Sequence, residues 1–272
     1  MKLTACDESE AVEGSESYDF YVKGENAFTH KNRGSEARII IGGSYFKVSN
    51  HGEAADSVDS TVLREIPTGF SCTALEGKYF LVTGTGKYFK NVQVAPEVNL
   101  GLVRLTNGGE KAQLLWGFAD GGKFTSEFPA HMMSHAARLK IDLQSHVVMH
   151  GHPANLLAMT YVHSLDEKAF TRTLWQMCTE CIVVFPDGVN VLPWMLCGPH
   201  EIGIATAEKM QTARLVVWAQ HGIYGAGKDL DETFGLIKTA EKAAEIYRKI
   251  AHLPCSIPSP TTRCTGWRPT SA

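Results

Sequence analysis

Three histidines at the ends of two apolar runs are the residues of this chain best placed to do chemistry. The stretch "SHVVMHGHPAN", Ser145 to Asn155, carries His150 and His152 two residues apart. On a strand, side chains at i and i+2 share a face, about 6.5 to 7 Å apart along the backbone, so the two imidazoles can converge on one ion. His146 lies two further steps back, outside that reach. Taken alone, the pair also describes two partly buried structural histidines. The run "RLVVWAQHG" repeats the pattern and ends on His221 beside Gly222. Sites gather where strands end. Three imidazoles suit Zn²⁺ and leave a fourth coordination position open, which is a catalytic rather than a structural arrangement.

Other residues offer supporting chemistry. "TSEFPAH" opens a helical stretch, where Thr125 and Ser126 present hydroxyls and unbonded N–H groups to an anion. Glu127 is either a first-turn carboxylate favoured by the helix dipole or an acid/base group. "VTGTGKYFKN" places glycines around Thr85 after an apolar run, a turn able to cradle a phosphate. An ordinary glycine turn is the alternative, and Phe89 stands where a dinucleotide fingerprint needs its third Gly. "GIYGAGKD" approaches Walker A spacing, but Asp229 replaces the Ser/Thr that would hold Mg²⁺. His131 and His135 share a helix face four residues apart. They lack the Glu of H-E-x-x-H and read as helix-surface or packing residues. Cys178 and Cys181 form a C-x-x-C with no second pair beside it, so a zinc or redox role is not expected.

These residues need a scaffold. "KYFLVTG", "NLGLVRL", "AQLLWGF", "SHVVMHGH", "ECIVVFP" and "RLVVWAQHG" read as strands, rich in β-branched and aromatic residues. Helical patterns cover 125–140, 153–163 and "PHEIGIATAEKMQ". The clearest helix runs from Asp229 to Ile250. Asp229 and Glu232 suit a capping box there, Lys249 sits in the last turn, and Leu230, Phe234, Ile237, Ala240 and Ala244 form an apolar stripe. Strands and helices in one block, without a composition break, imply one α/β domain over residues 69–253. Residues 1–68 are poorly assigned and expected to join it; "ARIIIGGSYFKV" is their only strand-like run. Residues 254–272, rich in Pro, Ser and Thr, read as a loose tail.

Bulk composition excludes some classes. Formal charge is -3 in 272 residues, so no basic field invites nucleic acid. Seven scattered cysteines argue against a disulfide framework and for a reducing cytoplasm. Only Met1 and Lys2 precede "LTAC", so no signal peptide is expected, nor any membrane span.

Taken together and in order, "LVTGTGKYFKNV", "TSEFPAH", "VVMHGHPANLLAMTYV", "TECIVVFPDGV", "LPWM", "WAQHGIYGAG" and "DETFGLI" resemble the class II aldolase/adducin family over about residues 78 to 250. The resemblance implies a three-layer α/β/α sandwich around a mostly antiparallel sheet. It implies zinc held by His150, His152 and His221, one ion per subunit, with Glu127 as acid/base beside it. It places Thr85, Thr125 and Ser126 near a substrate phosphate and Glu180 as a second catalytic carboxylate. The implied reaction splits L-rhamnulose 1-phosphate into dihydroxyacetone phosphate and L-lactaldehyde through a metal-stabilised enediolate. The implied assembly is a homotetramer with sites near subunit interfaces. Cleavage of fuculose 1-phosphate, epimerisation of ribulose 5-phosphate, and a non-catalytic adducin-like binding role are the alternatives. The family's Gly/Asn-rich N-terminal segment and helical C-terminal tail have no counterpart here. "HKNRGSEARI" is the nearest string to that segment, and nothing is carried over to Asn32 or Gly34.

Overall fold

The computed structural model describes residues 20–22, 27–32, 35–40, 47–52, 61–88, 91–92, 94–198 and 200–253. The acidic start, Gly34, Phe89 and the tail from residue 254 lie outside the described residues, while Asn32 ends a strand.

The strands are β1 (Phe20–Val22), β2 (Ala27–Asn32), β3 (Ser35–Ile40), β4 (Lys47–Gly52), β5 (Arg64–Pro67), β6 (Tyr79–Thr83), β7 (Leu100–Thr106), β8 (Lys111–Gly117), β9 (Val147–Gly151), β10 (Val189–Leu192), β11 (Leu215–Trp218) and β12 (Gly222–Gly227). The helices are α1 (Pro96–Asn99), α2 (Phe128–Leu139), α3 (Ala154–Val162), α4 (Glu167–Met177), α5 (Glu180–Val184), α6 (His200–Lys209) and α7 (Leu230–Ile250). A nine-stranded sheet runs β10-β11-β12-β9-β4-β6-β7-β8-β5, and β1 to β3 form a separate small sheet. Every pairing in the large sheet is antiparallel except β10 with β11.

Three layers follow from side-chain alternation along the strands. Val147 and Met149 of β9, with Leu215, Val217 and Ile223, face a core completed by α3, α4, α5 and α7. Val148, Val216, Tyr224 and Ala226 face the other way, onto Ala130 and Ala137 of α2 and Ile202 of α6. Phe128 and Met132 of α2 extend that second layer over β6, β7 and β8. The result is an α/β/α sandwich with a mostly antiparallel sheet, as expected.

One expected strand is a helix. "ECIVVFP" supplies α5 instead. A strand would put Cys181, Val183 and Phe185 on one face. In fact Cys181 and Phe185 are 0% exposed and Val183 is 68% exposed, the spacing of one helical turn. The capping of α7 is close to expectation. The Asp229 carboxylate accepts from the Glu232 N–H at 2.8 Å, but Glu232 reaches back to the Lys228 N–H rather than to that of Asp229. Phe234 packs on the rim of the α7 stripe, which is centred on Leu230, Ile237, Ala240 and Ala244. The "GIYGAGKD" stretch is strand β12 running into the cap of α7, not a phosphate loop.

Candidate metal centre

Strand β9 sits inside the sheet between β12 and β4, which puts His150 directly across from Tyr224. β11 and β12 are joined by a three-residue turn that carries His221. Gln220 in that turn has φ +64, and its N–H donates to the Thr160 hydroxyl at 2.9 Å. The His221 N–H donates to the Trp218 carbonyl at 3.0 Å. Thus a strand end and a tight turn converge. The ligand nitrogens of His150, His152 and His221 all lie within 4.8 Å of one another, the only such cluster among the described residues.

Local chemistry fits a cation. The His150 Nδ1–H donates to the Ile223 carbonyl at 3.0 Å. A carbonyl only accepts, so the proton sits on Nδ1 and the Nε2 lone pair faces the other two rings. Nε2 of His150 and Nε2 of His152 are 3.2 Å apart. Tetrahedral zinc with nitrogens at about 2.0–2.1 Å separates its ligands by about 3.3 Å. The His150 ring stacks on Tyr224 with centroids 4.4 Å apart and tilts against Trp218 at 5.3 Å. Burial, and then the neighbouring His152, His221 and His131, push the His150 imidazole well below its ordinary pKa. The ring is therefore neutral near pH 7, the form that binds metal.

The expected carboxylate stands at the adjoining helix start. Glu127 is buried and occupies the position just before α2. Its Oε2 accepts from the Thr125 hydroxyl at 2.8 Å. Burial, then the Glu127 charge, hold the Tyr224 phenol well above its ordinary pKa. The Glu127 charge therefore acts on the same tyrosine that stacks on His150.

The Thr85 turn is fastened beside them. The Thr125 N–H donates to the Thr83 carbonyl at 3.1 Å, and the Thr85 hydroxyl donates to the Phe124 carbonyl at 2.8 Å. Thr85, Thr125, Ser126 and Glu127 are thus brought together, with Thr125 buried and Ser126 exposed. Glu180 is not joined to them. It opens α5 and is exposed. In the C-x-x-C, burial pushes the Cys181 thiol up to about 12, which keeps it a neutral thiol.

Sequence reasoning missed Tyr224, the Ile223 carbonyl and Thr160. Each acts across strands or between elements, so no local spacing announces it. It also placed His131 and His135 as surface or packing residues. Both are 0% exposed, in the layer behind the centre.

The fold and the site define an α/β sandwich with a three-histidine centre and a buried glutamate at the start of α2. The family described as "Class II Aldolase and Adducin N-terminal domain" matches residues 62–248. The chain belongs to the class II aldolase and adducin family. It is 58% identical over 207 residues to rhamnulose-1-phosphate aldolase of Listeria monocytogenes serovar 1/2a, covering 76% of each chain. It is 62% identical over 186 residues to rhamnulose-1-phosphate aldolase of Enterococcus faecalis, covering 68% of this chain and 67% of that one. Among solved structures, a sugar-phosphate aldolase from Thermotoga maritima is 28% identical with TM-score 0.68, covering 78% of this chain and 88% of that one.

Proposed function

We propose that the protein is a metal-dependent lyase that cleaves L-rhamnulose 1-phosphate to dihydroxyacetone phosphate and L-lactaldehyde. The observation that carries this reading is the three-histidine centre, with a ligand tautomer fixed by Ile223, beside the buried Glu127. The names of the two bacterial relatives support the choice of sugar phosphate.

His150, His152 and His221 would hold the ion. The ion, read as one Zn²⁺ per subunit, would supply a Lewis acid that draws off the negative charge developing on the substrate as the bond breaks. Breaking the C3–C4 bond leaves the electron pair on the C3 side, and the C4 hydroxyl gives its proton to the ionised Glu127 carboxylate as the aldehyde forms. Glu127 delivers a proton to C3 in cleavage and removes it in the synthetic direction. Its hydrogen bond from Thr125 fixes which carboxylate oxygen faces inward. The phosphate lies against the Thr85 turn and the start of α2. Thr85 braces that turn through Phe124, while Ser126 presents an exposed hydroxyl and Thr125 bridges to the acid/base.

Glu180 is exposed on its own chain, three residues before the exposed Val183. The homotetramer implied by the family resemblance would let the exposed Glu180 serve as a catalytic carboxylate at a subunit contact. Residues 1–68 are read as part of the same domain, supported by β4 lying between β9 and β6 and by β5 at the sheet edge. No helix among the described residues is long and apolar enough to cross a membrane. Free Cys72, Cys178, Cys181 and Cys197 support a cytoplasmic setting. No nucleic acid partner is proposed.

The test is aldol cleavage of L-rhamnulose 1-phosphate beside L-fuculose 1-phosphate by zinc-loaded protein. Preferential turnover of the rhamnulose ester is expected. Preference for the fuculose ester would move the substrate assignment. Cleavage of neither by folded, metal-loaded protein would leave a binding protein that has kept the fold.

A further inference from the structure

Behind the metal centre lies a second buried polar group that the proposed reaction does not use. The Ser49 hydroxyl of β4 sits 2.8 Å from His131 Nδ1 and 2.9 Å from His135 Nε2. All three side chains are at most 1% exposed. One hydroxyl can donate to one ring and accept from the other, so Ser49 bridges the two imidazoles. Burying two imidazoles and a hydroxyl is unfavourable compared with an apolar filler of the same shape. Their location gives the arrangement a use.

His131 stands four residues after Glu127, and its N–H donates to the Glu127 carbonyl at 3.1 Å. Its ring meets Tyr224 edge-on with centroids 5.3 Å apart. The Tyr224 ring in turn lies nearly flat on His150, with an interplanar angle of 26°. A continuous stack therefore runs from Ser49 through His131 and Tyr224 to a ligand ring. Because Glu127 sits just before α2 and His131 lies one turn into it, the same contacts relate the glutamate to the ligand.

We propose that His131 is a positioning residue of the metal centre: fixed by Ser49 and edge-on to Tyr224, it holds the Tyr224 ring against His150 and keeps the His150 Nε2 aimed at the ion. This rests on the metal-centre reading above. Losing the hydrogen bond between His131 and Ser49 frees the His131 ring to turn and loosens its edge contact with Tyr224, so that His150, still bonded to the Ile223 carbonyl, loses firm support on its Tyr224 face. Groups bonded directly to a ligand change metal affinity by about 10–100-fold when removed, and His131, one ring further back, is expected to act at the low end of that range.

The test titrates metal-free protein with Co²⁺ alone. It follows the visible d–d absorption, which reports ligand geometry, and affinity against a chromogenic chelator. His131→Leu and Ser49→Ala are expected to weaken Co²⁺ by about tenfold or more and to alter the band. His131→Asn, whose amide can bond Ser49 where Nδ1 stood but which has no ring to meet Tyr224, is expected to recover only part of the affinity lost in His131→Leu. Met132→Ala removes a fully buried side chain from the same helix and is expected to lower thermal stability while leaving the Co²⁺ signal unchanged. Wild-type affinity and spectrum in His131→Leu and Ser49→Ala would overturn the proposal, as would equal losses in Met132→Ala. If His131→Leu does not fold, Ser49→Ala decides alone: a weakened and altered Co²⁺ signal supports the proposal, and the wild-type affinity and spectrum overturn it. Failure of the wild-type chain itself to take up Co²⁺ would overturn the metal centre, and this inference with it.

Discussion

A methyl group at position 222 would lie 2.4 Å from the Gly151 carbonyl oxygen, 2.8 Å from His152 Cδ2 and 2.9 Å from His150 Cε1. Two of those atoms belong to ligand rings and the third to the backbone between them. The missing Cβ of Gly222 is therefore what allows β12 to approach β9 closely enough for the histidines to meet. Gly222→Ala should force the rings apart, reducing metal affinity at least about tenfold and stability by about 1–3 kcal/mol. Chelator competition and denaturant titration measure the two effects. An alanine variant with unchanged metal affinity would show that the close approach is dispensable. Glu127→Gln tests a different property, since it keeps shape and removes the proton. It should retain metal and lose about 10²–10⁴-fold in kcat. Undiminished turnover would remove Glu127 from the acid/base role. The histidines were legible because H-x-H and H-G mark strand ends in plain sequence. Gly222 was legible only as a neighbour of His221, because its constraint comes from another strand.

The elements around the centre are tied to one another rather than built in isolation. α3 begins two residues after His152, and Pro153 before it has no N–H to contribute. The helix start is capped by α7. The N–H groups of Asn155 and Leu156 donate to the Glu241 carboxylate at 3.1 and 2.9 Å, and the Asn155 amide adds a bond at 2.7 Å. An acidic group at a helix N-terminus satisfies unbonded N–H groups and complements the dipole. Glu241→Ala should therefore cost about 1–2 kcal/mol and loosen the segment carrying His152. Denaturant unfolding and metal affinity should fall together, and loss of stability with unchanged affinity would confine Glu241 to a packing role. α7 itself was readable because Asp229 caps it and its stripe has helical period. β12 was not, since all six of its residues, "GIYGAG", are buried and show no alternation. α5 was misread because the four residues of Cys and β-branched type that follow Glu180 do not distinguish a short helix from a strand.

On the scale of the whole molecule, the centre makes folding depend on pH. His150 is 0% exposed, and its folded pKa is driven well below the usual imidazole value, chiefly by burial. In the unfolded chain the same ring titrates near about 6.5. Above that pH both states hold a neutral ring and His150 contributes no pH dependence. Below it the unfolded chain takes up a proton that the folded chain refuses. The unfolded state then binds more protons, so stability rises with pH and falls on acidification. The window extends from about pH 6.5 down to the depressed folded value, and one such group changes stability by at most about 1.4 kcal/mol per pH unit. His150→Phe keeps a flat ring opposite Tyr224 and removes the titrating group. In metal-free protein held with chelator, the variant should be less stable at neutral pH, because the bond to Ile223 is gone, yet show a shallower decline below about pH 6.5. Urea unfolding across that range gives both slopes, and the difference between them isolates His150 from the other histidines. Parallel slopes would mean that the folded ring accepts its proton as easily as the unfolded one, and the neutral buried ligand would have to be abandoned. With metal present the linkage should steepen, since ion binding to the folded state adds about 2.7 kcal/mol at a hundredfold excess over Kd and disappears as the ligands protonate.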